Sequence, residues 1–153
     1  MKQFVCLTLL IIFCNSMVIA AVRGDKAMYV GGTLASIPEK SEGRLDLGDT
    51  NLAKFVWKKT EVLIPYGRIL SLEYGQKAGR RIGAAVAVSP LLLFSKKRKH
   101  YVTIGFTDDQ GKQQGAVFEL SKGTVRAALT TLESRSGKKV EYESEEAKKN
   151  LGN

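Results

Sequence analysis

Scarcity bounds the chemistry of this chain more tightly than anything it contains. Its 153 residues include two cysteines and one histidine. Both cysteines, Cys6 and Cys14, fall in the first twenty residues. A chain relieved of that stretch has no disulfide, no thiol nucleophile and no cysteine metal site. The histidine, His100, follows Lys96-Lys97-Arg98-Lys99. A nucleophilic triad needs an imidazole held by a carboxylate. A run of cations instead lowers proton affinity and marks a solvated polar residue. One histidine excludes a His-rich metal centre. Asp108-Asp109-Gln110-Gly111 is too short for an EF-hand loop and reads as a turn. Gly75, Gly79 and Gly83 lack the Lys-Ser/Thr pair of a phosphate loop. No repeat or low-complexity stretch appears, and no cofactor is expected.

What is present begins at the N-terminus. Lys2 precedes an apolar run from Phe4 to Ile19, closed by Ala20 and Ala21. One positive charge, an apolar core and small exit residues make a secretory signal peptide, with Val18 and Ala20 at the −3 and −1 positions of the cleavage. Residues 1–20 are therefore read as a signal. A retained membrane anchor is the alternative, because residues 3–22 are uncharged and long enough to span a bilayer. Lipid attachment at Cys14 is disfavoured by Phe13, where a small residue is needed. The expected location is secreted or periplasmic, or membrane-anchored if the segment stays. After cleavage about 133 residues remain, one ordinary domain held by packing alone.

The chain carries 24 Lys and Arg against 15 Asp and Glu. Loss of Lys2 with the signal leaves a net charge of +8. Such a balance favours anionic partners, and export makes nucleic acid the least suitable of them.

The body, residues 26–142, reads as short strands followed by one helix. Strand patterns occur at Met28-Tyr29-Val30, Gly43-Arg44-Leu45-Asp46-Leu47, Leu52-Ala53-Lys54-Phe55-Val56-Trp57, Glu61-Val62-Leu63-Ile64 and Arg68 to Tyr74, spaced as in a sandwich or barrel. Residues 101–107 and 115–120 form a hairpin about a turn at Asp108 to Lys112. Val125, Ala128, Leu129 and Leu132 recur at helical spacing over 124–136. Ser121 or Thr124 can cap that helix, and Gly137 ends it. Lys139 to Tyr142 suggests a short extended piece. Residues 143–153 read as a charged tail with a final turn.

Residues 82–95 hold no charge. Arg80 and Arg81 precede them; Lys96, Lys97, Arg98 and Lys99 follow. The run is too short to span a bilayer. It suits a buried strand with a second apolar piece beyond Pro90. The second reading is membrane contact, with Leu91, Leu92, Leu93 and Phe94 entering the headgroup boundary while the cations meet anionic lipid. A protein-binding patch is the third reading.

The order of these elements resembles the pleckstrin-homology superfamily, including its GRAM-like branch and exported bacterial members. Gly43-Arg44-Leu45-Asp46-Leu47 through Ile64-Pro65-Tyr66-Gly67-Arg68-Ile69-Leu70-Ser71-Leu72-Glu73 carries the likeness, with the later hairpin and helix in matching order. The resemblance implies a bent barrel of about seven antiparallel strands closed by one C-terminal α-helix. It also implies binding rather than catalysis. The family's phosphoinositide-binding cations belong in and beside the first hairpin loop. Here Ser36-Ile37-Pro38-Glu39-Lys40-Ser41-Glu42 holds two acids and one base, so no binding residue carries over. The expected function is an exported, non-catalytic module meeting an anionic lipid surface or an envelope protein through Arg80, Arg81 and Lys96 to Lys99. A protein-interaction or assembly module using residues 82–94 is the alternative. A carboxylate-based hydrolase drawing on Glu73 and Glu119 is a lesser one.

Overall fold

The computed structural model describes residues 24–76 and 99–152. Among the described residues, eight strands form one curled sheet, a mixed half-barrel. They are β1 (Asp25–Gly32), β2 (Ser41–Asp46), β3 (Leu52–Trp57), β4 (Thr60–Pro65), β5 (Ile69–Gly75), β6 (His100–Thr107), β7 (Gln113–Leu120) and β8 (Val140–Tyr142). Their order across the sheet is β4-β3-β2-β1-β7-β6-β5-β8. A 3₁₀ turn, Tyr66–Arg68, joins β4 to β5. Helix α1 (Lys122–Ser136) follows β7, and helix α2 (Glu145–Gly152) follows β8.

Alternation builds the core. Tyr29, Leu45, Phe55, Ile64, Leu72, Ile104 and Phe118 all point to one face and are buried there. Three rings stand near the middle: Phe55 and Phe118 at 4.9 Å between centroids, with Tyr29 at 6.5 and 6.0 Å from them. Tilted ring pairs at such distances add about 0.5–1.5 kcal/mol beyond area burial. Two irregularities curl the strands. Val30 is an extra residue between the pairs Tyr29–Phe118 and Gly31–Val117. Leu70 is an extra residue between Ile69–Phe106 and Ser71–Gly105. Each bulge bends its strand and raises the local twist.

Helix α1 lies over the concave face because Val125, Ala128, Leu129 and Leu132 join the same buried cluster. It begins at Lys122, two residues before its sequence pattern. Ser121 is the N-cap residue, but its hydroxyl meets Thr124 Oγ1 at 3.0 Å rather than a backbone N–H. Gly137 ends the helix in the left-handed region at φ 69°, its N–H donating to Glu133 O at 2.9 Å. Arg135, in the last turn, donates to the carbonyls of Leu47 and Asp49 and to Tyr66 Oη. One guanidinium thus ties the helix end to the β2–β3 loop and the 3₁₀ turn.

The hairpin stands where the sequence puts it. Asp108 Oδ1 accepts from the N–H groups of Gln110 and Lys112, both at 2.9 Å, and Gly111 takes φ 79°. Two expectations need correction. The sheet has eight strands, not seven, and it is mixed, because β8 pairs with β5 in parallel. Three residues at Val140–Tyr142 are too few to show a strand period, and their partner Leu72–Tyr74 lies far back in the chain. There are also two helices after the barrel strands, not one. The turn read near Ser144 is the start of α2, whose Ala147 is buried while Leu151 packs on the core. Arg126 clasps that end by donating to Leu151 O.

Replacing Phe118, fully enclosed between Tyr29 and Phe55, with alanine is expected to cost about 3–5 kcal/mol. Urea unfolding of Phe118→Ala against the parent measures it. Arg135→Ala is expected to cost about 1.5–3 kcal/mol by the same measurement, because charge-assisted hydrogen bonds are lost.

Candidate functional site

The sequence-derived candidates belong to the β5–β6 connection, of which the structure describes the two ends. Strand β5 ends at Gly75 and β6 begins at His100, and Gly75 pairs directly with Tyr101. The chain therefore leaves and returns at one place on the sheet. Arg80, Arg81, Lys96, Lys97 and Arg98, like Leu91, Leu92, Leu93 and Phe94, lie outside the described residues. Lys99 is described. Its Nζ donates to Glu119 Oε2 at 2.8 Å, and this bond holds the ammonium pKa above its usual value. Tyr101 sits opposite Glu119 in the register, and burial pushes its phenol up. Lys99 is thus engaged in a local ion pair on the convex face.

The opposite side of the base is braced by the C-terminal segment. Gln76 N–H donates to Glu143 Oε2 at 2.9 Å, and Asn150 Nδ2 donates to Gln76 Oε1 at 3.2 Å. Glu143 N–H donates to Tyr74 O at 2.8 Å, continuing the β5–β8 pairing. Gly75 permits the approach: a Cβ there would stand 2.8 Å from Glu143 Oε2. Tyr74 stacks on His100 at 6.0 Å between ring centroids and meets Tyr142 edge-on at 6.0 Å.

His100 is not the solvated residue its neighbours suggest. It is half-buried, and its Nδ1 bonds the Tyr74 hydroxyl at 2.7 Å. Burial lowers its pKa first, with the nearby Lys122 charge adding to the shift. Nothing local in the sequence pointed to Tyr74, Tyr142, Glu143 or Asn150 as its surroundings. They are brought in by the parallel strand and α2, which carry no sequence period long enough to read.

Glu73 and Glu119 both project from the convex face, on strands two positions apart. The register offsets them by two residues, placing their backbones roughly 12 Å apart. Among the described residues no group of three His, Cys, Asp or Glu gathers as a metal site. No described helix is long and apolar enough to cross a membrane. The described residues form a cleft of about 230 Å³ on the convex face beside Met28, Glu42 and Glu119, and another of about 170 Å³ where α1 meets the β1–β2 end.

Comparison with protein-family models and with curated proteins finds no match to this chain.

The lowered His100 pKa has a definite sign. The unfolded chain takes up the proton near 6.5, while the folded chain resists it. The stability contribution of neutral His100 is complete above pH 6.5 and is lost as the pH falls through the depressed folded value. Denaturant midpoints between pH 7 and pH 5 are expected to fall less steeply in His100→Gln than in the parent. Equal slopes would contradict the assignment.

Proposed function

We propose that this chain is an exported, non-catalytic binding module on a pleckstrin-homology-like plan, and that it meets an anionic membrane surface. Its seven antiparallel strands followed by a helix support the likeness, with β8 and α2 as additions beyond it. The observation that carries the functional reading is the shared base of the β5–β6 connection. Arg80 and Arg81 follow Gln76 by four and five residues, and Lys96 precedes Lys99 by three. Fully extended, these stretches reach roughly 17 Å and 10 Å. Both cation clusters are therefore tethered to one end of one strand pair, with the apolar residues Leu91 to Phe94 between them. Each cation near an anionic surface contributes on the order of 1 kcal/mol.

The role of Lys99 in this reading is to hold the base, since it is bonded to Glu119, while the other five cations make the contact. The ion pair that Lys99 makes on Glu119 favours binding over carboxylate catalysis.

Co-sedimentation of the exported protein with phosphatidylcholine vesicles, with and without phosphatidylglycerol, tests the reading. Binding is expected only with the anionic lipid, falling as salt rises. Replacing Arg80, Arg81, Lys96, Lys97 and Arg98 with glutamine is expected to weaken it at least tenfold, whereas Lys99→Gln weakens it less. No binding at low salt would overturn the membrane reading and leave residues 82–94 as a protein-docking segment.

A further inference from the structure

The two edges of the sheet are finished differently. At one edge, β8 is three residues long and α2 packs against it. At the other, β4 runs six residues, Thr60–Pro65. Among the described residues it pairs with β3 alone, in a continuous register without a bulge. Helix α1 packs chiefly on the 3₁₀ turn, β5 and β6. The pair Trp57–Thr60 closes a two-residue turn at Lys58 and Lys59. Thr60, Val62 and Ile64 therefore exchange bonds with β3, while Glu61 and Leu63 turn their N–H and C=O groups to the open side. Pro65 adds a carbonyl there without an N–H. A row of outward backbone groups on a straight edge is a template for one more strand.

The side chains along that edge say what would be added. Leu63 and Leu70 are the large apolar residues left exposed among the described residues, at 51% and 46%. Leu63 stands in the middle of the edge. Leu70 follows the 3₁₀ turn, on the stretch of β5 that β8 does not reach. Glu61 is answered by Lys54 at 3.7 Å. Lys58 and Lys59 have no carboxylate within ion-pair distance among the described residues. The Lys58 ammonium lies over the Trp57 ring at 4.6 Å. The edge is thus apolar in its middle and cationic at one end, on a chain with 24 Lys and Arg against 15 Asp and Glu. Two copies set edge to edge about Leu63 would put Lys58 of one opposite Arg68 of the other, and like charges directly opposite are destabilising.

We infer that β4 is a docking edge for an extended segment of another protein that ends in acidic residues and adds antiparallel to β4. An antiparallel chain there brings its C-terminal end to Thr60 and the turn. An apolar residue opposite Leu63 is then followed, four and five positions on, by carboxylates opposite Lys59 and Lys58. Main-chain bonds to Glu61, Leu63 and the Pro65 carbonyl supply affinity, while Leu63 and the two cations select the sequence. The edge lies on other strands than the β5–β6 connection, so this inference and the membrane reading stand or fall separately.

A short fluorescent peptide of alternating valine and threonine, closed by two glutamates, is titrated with the protein, and anisotropy reads binding. Binding is expected. Replacing Lys58 and Lys59 together with glutamine is expected to weaken it about fivefold, by less as salt rises. Leu63→Ser, at a half-exposed side chain, is expected to weaken it by about as much. The same peptide N-methylated on the amides that face β4 is expected to lose binding, which mere adsorption to a basic surface would not. Amide exchange followed by NMR gives a second readout in the unaltered protein. Glu61 and Leu63 are expected to exchange fast without the peptide and slowly with it, while Val62 and Ile64 are slow in both. No binding at low salt, equal binding of the N-methylated peptide, or Glu61 and Leu63 amides unmoved by saturating peptide would each overturn the inference. A dimer of the free protein that protects those two amides would overturn it too, giving the edge to a second copy.

Discussion

A lone sheet buries one face only if it curls upon itself and something closes the hollow, and that constraint organises this molecule. Tyr29, Phe55 and Phe118 occupy the hollow from three different strands. The bulges at Val30 and Leu70 bend the strands far enough for those rings to meet. Helix α1 then covers the hollow with four apolar residues, and its last turn is fixed by Arg135 to the loops on the far side. The described residues hold no cysteine, so among them packing and hydrogen bonds hold the domain together without a disulfide.

From the same constraint follows the division of labour between the two ends of β5 and β6. The sheet interior is committed to packing, so the recognition proposed above falls to what emerges from its edges. The β5–β6 base is unusually well held for the start of a long connection. The Lys99–Glu119 pair grips it from the convex face. Glu143, Asn150 and the stacked Tyr74–His100 pair grip it from the other side. In the proposed reading, these contacts fix where the connection leaves and rejoins the sheet.

Much of the sheet could be read from the chain. The hairpin of β6 and β7 announced itself through alternation and a turn rich in Asp and Gly. Helix α1 showed through its i, i+3, i+4, i+7 face and the glycine after it. The strand bounds shifted by a few residues, as at β1, where Asp25 and Lys26 pair with β2 despite being polar. What stayed illegible has a common physical cause. Strand β8 was legible only as a short extended piece and α2 only as a final turn; both are too short for a period, and their pairing and packing come from contacts with β5 and α1 far away in the chain. The half-buried setting of His100 is set by Tyr74, twenty-six residues earlier, so the cations beside it in sequence gave the wrong environment. The strand count rose from seven to eight for the same reason. Of the proposed site, the sequence shows a charge pattern around an apolar run, and the register of Gly75 with Tyr101 shows where that connection leaves and rejoins the sheet.

Hydrogen–deuterium exchange of the protein, with and without phosphatidylglycerol-containing vesicles, addresses most directly where a surface would be met. Protection confined to peptides spanning residues 76–100, with the β1–β2 loop and the β3–β4 turn unchanged, is the expected result. Protection at residues 33–40 and 58–59 with none at 76–100 would contradict it, placing the contact at the other end of the sheet.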